Sequence, residues 1–169
     1  MPRVPPGCRR AKSWAVCLLE CRQFTAHDFA RLHPGGTLGK KLYLTVGDLS
    51  RQNQRPRVGL ATPLREVLLE ISGKRLGATA VLDAAGQLAG IITDGDLRRM
   101  LGRRHLADLE TLTAQDILTP QPATITQDDF AAEALRQMQA RNITQLIVLD
   151  NGQFAGFIHL HDILREGLV

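Results

Sequence analysis

Aromatic residues make up only 4% of this 169-residue chain, and besides five phenylalanines there are only Trp14 and Tyr43. Proteins that hold single-stranded nucleic acid stack bases on aromatic side chains set among positive charges, so this scarcity argues against a nucleic-acid partner. The positive charge is also in the wrong place. Residues 1–57 hold eleven lysines and arginines against three acidic residues, whereas residues 58–169 hold ten against fourteen. Long apolar runs are missing too: none approaches the roughly 18 residues of a spanning helix, which excludes an integral membrane reading and points to function in solution. Cysteine is rare, and Cys8, Cys17 and Cys21 all fall within the first 21 residues. An odd number confined to one end is no disulfide framework for the body, and a reducing cytoplasm is the simplest setting. Cys17 and Cys21 would share a helix face, either as small buried apolar residues or as half of a metal site. The basic residues 1–10 followed by the apolar stretch 14–19 imitate a signal peptide, but the stretch is too short and Glu20 closes it.

What the chain does contain is an internal duplication. Leu64, Val67, Leu68 and Ile71 follow the i, i+3, i+4, i+7 spacing of one helix face, and an offset of 67 carries them onto Ala131, Ala134, Leu135 and Met138. The same offset carries Ala80-Val-Leu-Asp83 onto Ile147-Val-Leu-Asp150, a short strand ending at an acidic turn residue. The turn itself shortens by one residue, from Asp83-Ala-Ala-Gly86 to Asp150-Asn-Gly152, and Asn-Gly is a strong tight-hairpin signal. Beyond it the offset is 66: Gly86-Gln-Leu-Ala-Gly90 matches Gly152-Gln-Phe-Ala-Gly156, and the following strands run into Asp96 and Asp162, each opening a short helix. Each copy therefore reads strand, helix, strand, strand, helix. Thr45-Val-Gly-Asp48 and Thr113-Ala-Gln-Asp116 give each copy a leading turn of its own. A unit of about 60 residues is too small to bury a substantial core alone, so the two should pack face to face about a pseudo-twofold axis.

This order resembles a pair of CBS motifs, the tandem regulatory (Bateman) module, over roughly residues 44–169. The resemblance implies an α/β (α+β) fold of two small three-stranded sheets with flanking helices. It also implies clefts between the copies that take adenosyl or other nucleotide ligands. The expected divisions are 1–43 as an upstream remnant and linker, 44–104 as the first motif and 112–169 as the second.

Gly90-Ile-Ile-Thr-Asp-Gly-Asp96 looks like the Gly-h-h-Thr-x-x-Asp ribose-phosphate signature of nucleotide-binding CBS motifs. The Asp96 carboxylate can accept from both hydroxyls of a ribose diol, the Thr93 hydroxyl can donate to a phosphate, and Gly95 leaves room for close approach. Thr93-x-x-Asp96 is equally a capping box, and both roles can coexist. The second copy reads Gly156-Phe-Ile-His-Leu-His-Asp162, replacing a good cap with His159, a poor one. There Asp162 would bind the diol, and protonated His159 and His161 would face an anion, making the two clefts chemically unequal. A metal held by His159, His161 and Asp162 is a weaker alternative, because no further cysteine or histidine lies nearby. Arg98, Arg99 and Arg165 could neutralise phosphates. Thr79, Thr144 and Gln145, at the start of the central strands, are candidates for base or sugar contacts.

Upstream, Phe-Thr-x-x-Asp-Phe-Ala-Arg-x-His-Pro-Gly-Gly-x-Leu-Gly (residues 24–39) is similar to the segment joining the sugar isomerase (SIS) domain to the CBS pair in arabinose-5-phosphate isomerases. His159-Leu-His-Asp162 and the run Thr93–Arg99 also look like that family's versions of the two signatures. The family interconverts D-ribulose 5-phosphate and D-arabinose 5-phosphate toward Kdo and lipopolysaccharide. By resemblance His33 is the active-site histidine. The phosphate loop, the lysine and the catalytic glutamates of that family have no counterpart in this sequence. The expectation is therefore a regulatory module without isomerase activity of its own, cytoplasmic and homodimeric through the CBS pair, able to pair with a SIS-domain isomerase. Its regulatory ligand would be CMP-Kdo or AMP, ADP or ATP, with no cofactor or metal. The alternative is an assembly module that senses nothing.

Overall fold

In the computed structural model, residues 43–102 and 106–168 are described. His33, the three cysteines and the 24–39 segment lie outside the described residues. The chain starts with a short helix α1 (Val46–Ser50), then β1 (Arg57–Gly59), α2 (Leu64–Lys74), β2 (Ala78–Leu82), β3 (Leu88–Thr93) and α3 (Asp94–Leu101). Two 3-10 turns (Leu106–Thr111 and Ala114–Asp116) lead to β4 (Thr119–Pro120). The second copy follows as β5 (Thr124–Thr126), α4 (Ala131–Arg141), β6 (Gln145–Asp150), β7 (Gln153–His159) and α5 (Leu160–Arg165).

The strand registers reproduce the duplication to the residue. β1 runs parallel to β2 with Val58 opposite Val81, and β5 runs parallel to β6 with Ile125 opposite Val148. Each antiparallel pair is irregular at the same place, between Val81 and Leu82 and between Val148 and Leu149. Both long helices end on a left-handed residue, Arg75 (φ 57°) and Asn142 (φ 52°). The Asn151-Gly152 turn has both central residues at positive φ, the geometry that matches strand twist in a two-residue hairpin.

The apolar stripes go where the spacing requires. Leu64, Val67 and Ile71 are buried with Val81 and Ile92; Ala131, Ala134 and Met138 are buried with Leu146, Val148 and Ile158. Leu68 departs from the stripe and is 41% exposed. β2 and β6 are buried on both faces. Alternation sends Val81 and Val148 to their own helices, while Ala78, Ala80 and Ile147 join Phe157 in a third cluster that includes both copies. Those clusters supply most of the driving force, at roughly 1.5–3 kcal/mol for each large side chain fully buried.

Two features correct the expectations. The leading turns do not serve their own copies. Val46 of α1 is buried in the second copy's core, while Leu112, Ala114 and Ile117, which precede the second copy, are buried in the first. Backbone bonds make the exchange reciprocal: Ala131 N donates to Leu44 O at 2.8 Å, and Leu64 N donates to Leu112 O at 2.9 Å. Neither α2 nor α4 has a side-chain N-cap, so the exchanged segments supply the missing acceptors. The second correction is that, among the described residues, the first sheet has four strands, in the order β1-β2-β3-β4, while the second keeps three. β4 pairs with β3 because Gly90 has no side chain: a Cβ there would sit 2.7 Å from the Thr119 carbonyl oxygen.

Candidate functional site

Thr-x-x-Asp is this chain's general way of closing a turn. In Thr45/Asp48, Thr113/Asp116 and Thr126/Asp129 the threonine amide and hydroxyl both donate to one aspartate oxygen, over distances from 2.7 to 3.1 Å. Thr93 and Asp96 repeat it at 2.8 and 2.6 Å. Capping is therefore the shared property. What sets Asp96 and Asp162 apart is that they stand at clefts between the two copies.

The first cleft encloses about 690 Å³ and brings Asn53, Arg75 and Gly77 of the first copy against His159, His161, Asp162 and Arg165 of the second. The second encloses about 490 Å³ and brings Thr119, Gln121, Arg141 and Asn142 of the second copy and its approach against Asp96 and Arg99 of the first. Both volumes suit a small organic ligand. Each cleft thus joins the entry segment and long-helix end of one copy to the acidic helix start of the other.

Most of the sequence candidates meet here. Thr93, Thr144 and Gln145 line both clefts; Gly95, His159, His161 and Asp162 line the first, and Asp96 the second. Thr79 does not join them. It is fully buried and lies on the face of β2 shared with Val81, toward the first copy's own core, with its hydroxyl 3.5 Å from Ala80 O. Arg98 is exposed and lines neither cleft. Gly95 has no positive φ, and a Cβ there would be 3.4 Å from the Arg99 guanidinium, so the backbone does not demand glycine.

The two aspartates are engaged differently. Asp96 Oδ2 accepts from Thr93, and Oδ1 accepts from Thr119 Oγ1 at 2.9 Å and from the Arg99 guanidinium at 2.6 Å. Burial raises the cost of its charge, but the Thr93, Thr119 and Arg99 donors together outweigh it and hold the carboxyl below its ordinary value. Asp162 uses Oδ2 alone, accepting from His159 N at 2.9 Å and from Asn53 Nδ2 at 2.7 Å; Oδ1 has no donor among the described residues.

His159 turns out to be a working cap. Its Nδ1 accepts from the His161 amide at 3.1 Å, and the two rings stack with centroids 5.0 Å apart. That bond requires a neutral Nδ1. Burial lowers the His159 pKa below the ordinary histidine value and His161 adds to the effect, against the opposing pull of Asp162. With Nδ1 accepting that bond, the Nε2–H of His159 is the group left to donate. Among the described residues no group of three or more histidine, cysteine, aspartate or glutamate side chains is arranged to hold a metal ion, and no helix is long and apolar enough to cross a membrane.

Sequence reasoning missed Asn53, Thr119, Arg75 and Arg141. Arg75 was accessible in principle, because helix ends repeat at the offset of 67 with Asn142, a favoured left-handed residue. Asn53 and Thr119 lie in aperiodic segments and left no signal.

The family model for the CBS domain matches residues 46–103 and again 114–168. The chain belongs to the CBS domain family. It is 44% identical over 156 residues to the arabinose 5-phosphate isomerase KdsD of Salmonella typhi, covering 92% of this chain and 47% of that protein. The chain thus spans about half the length of the curated relatives it matches. Among solved structures, the CBS-domain containing protein ATU1752 of Agrobacterium tumefaciens superimposes with a TM-score of 0.66 at 23% identity, over 74% of this chain and 94% of that one. The CBS domain protein PAE2072 of Pyrobaculum aerophilum, complexed with AMP, gives a TM-score of 0.64 at 21% identity over 71% and 90%. These two likenesses establish the CBS-pair fold.

Proposed function

We propose that this chain is the regulatory, nucleotide-sensing CBS pair of a D-arabinose 5-phosphate isomerase. The observation that carries the reading is the pair of inter-copy clefts, each with an aspartate carboxylate and arginines on its lining. An aspartate can take hydroxyl donors of a sugar, and guanidinium groups can take the phosphate, which together suit a nucleoside phosphate. The AMP complex of the Pyrobaculum protein supports this ligand class, and the identity to the Salmonella isomerase supports the enzyme it serves. A ligand that binds one arrangement of the two copies better than another biases whatever the module is joined to. A nucleotide-linked sugar acid such as CMP-Kdo would act as feedback ligand, with AMP, ADP or ATP as the competing class. In this reading the module works in the cytoplasm, and residues 1–43 are the end of a SIS domain and its linker.

A second reading, assembly without sensing, is favoured by Leu68 and Leu69, adjacent on α2 and 41% and 65% exposed. They would pack against a second copy to give a homodimer. A thermal-shift screen against AMP, ADP, ATP, CMP and CMP-Kdo tests the choice. Sensing predicts a rise in melting temperature with at least one of the five, because a ligand that binds only the folded state stabilises it. No rise at millimolar ligand, together with a dimer lost in Leu69→Glu, supports assembly instead.

A further inference from the structure

Resting on the sensing reading, we infer that the two clefts are unequal in kind: a single nucleoside phosphate binds per chain, in the Asp162 cleft, and the Asp96 cleft is an internal latch. The two clefts differ at one oxygen. In both copies Oδ2 of the aspartate is used by the backbone at the start of the last helix, so Oδ1 is the atom left for a ligand hydroxyl. On Asp96 that atom already accepts from Thr119 at 2.9 Å and Arg99 at 2.6 Å. On Asp162 it accepts from no described residue.

The latch is built into the backbone. Thr119 belongs to β4, which pairs with β3 through Ile91 and sits so close over Gly90 that no Cβ fits between them. A diol reaching Asp96 would have to displace a threonine fixed by a strand as well as an arginine. Among the described residues the second sheet has no such fourth strand. There the facing residue, Asn53, binds Oδ2 and leaves Oδ1 open.

The cations divide less sharply, because Arg141 on the Asp96 cleft also makes no ion pair among the described residues. Arg99 and Arg165 are counterparts at the offset of 66, but Arg99 is bonded to Asp96 while Arg165 makes no ion pair among the described residues. Arg75 is likewise unpaired and lines the same cleft as Arg165. The larger cleft, about 690 Å³, therefore offers the open Asp162 Oδ1 for hydroxyl groups and two guanidinium groups for a phosphate, with the Asp94 carboxylate also on its lining. That combination suits a ribose 5-phosphate end rather than a bare sugar or an inorganic anion.

Isothermal titration of the full chain with AMP, ADP, ATP, CMP and CMP-Kdo tests this. The expected result is one site per chain for whichever probe binds. Asp162→Asn and Arg75→Gln should each weaken it about tenfold or more, while Thr119→Val should leave that site's affinity within about twofold. Arg75 is exposed at a helix end, so Arg75→Gln keeps the test decisive even if Asp162→Asn fails to fold. Two equal sites, binding insensitive to Arg75→Gln, or a loss in Thr119→Val as large as in Arg75→Gln overturns the assignment and leaves sensing intact. Binding of none of the five probes overturns the sensing reading and this inference with it.

Discussion

The two copies share strand register, bulge position, helix ends and even the exchange of their leading segments, yet their clefts differ in the engagement of one carboxylate oxygen. In the first copy Asp96 is 8% exposed and its four hydrogen bonds occupy both oxygens. In the second, Asp162 makes two, both through one oxygen. The difference follows from a two-residue strand over a glycine in the first sheet, which the second sheet lacks among the described residues. Duplication therefore preserves the framework, through apolar spacing and turn geometry, while a few polar residues in aperiodic segments decide what each cleft can hold.

The equivalence of the cores is the strongest part of the comparison and the easiest to break. Ile71 and Met138 are counterparts, both nearly inaccessible. Truncation of either to alanine should cost about 2–5 kcal/mol in urea unfolding, because burial is lost and a cavity is left. A cost below about 1 kcal/mol for one of them would show that the copies do not share the load. Next in size is Gly90→Ala. A methyl group there meets the Thr119 carbonyl and the Leu118 side chain, each at 2.7 Å, and the overpacking should cost about 1–3 kcal/mol. It should also pull Thr119 from Asp96, so a crystal structure of the variant with that hydrogen bond intact would refute the link between the glycine and the latch.

The latch itself sharpens the contrast. Thr119→Val removes a donor to a buried carboxylate and should cost about 1–2 kcal/mol in the same assay. Loss of less than about 0.3 kcal/mol would mean that Arg99, whose side chain is 62% exposed, carries the pair without it. The smallest effect concerns pH. His159 is held neutral in the fold, below the ordinary histidine value, by burial and by His161. The folded state then takes up a proton less readily than the unfolded chain, so stability is fully present above pH ~6.5 and is lost as pH falls toward the lower folded value. His159→Asn, which can still cap α5, should flatten the fall between pH 7.5 and 5.5; an unchanged slope would remove His159 from the account.

Much of the fold was legible because its determinants are local. Helix faces, the Asn151-Gly152 hairpin and the Thr/Asp boxes each leave a short-range pattern, and the offsets of 67 and 66 align them. The exchange of leading segments was not legible. Its bonds run between backbone groups, such as Val46 N to Asp129 O, which no side chain encodes. β4 was missed because a pairing of Gly90 with Pro120 and Ile91 with Thr119 is too short for alternation to register. At the site the aspartates and His159 stood out by motif, while Asn53 and Thr119 became visible only when folding brought them 2.7 and 2.9 Å from carboxylates more than twenty residues away. His159 shows the reverse: its place was legible but not its state, which depends on the burial that follows from packing.

The inequality of the clefts is tested most directly by an amide NMR titration of the full chain with AMP and, separately, with CMP-Kdo. The account predicts saturable shifts at Gly77, His161 and Asp162, with Gln121 and Asn142 still. Shifts centred on Gln121, Asn142 and Asp96, or of equal size at both clefts, would contradict it.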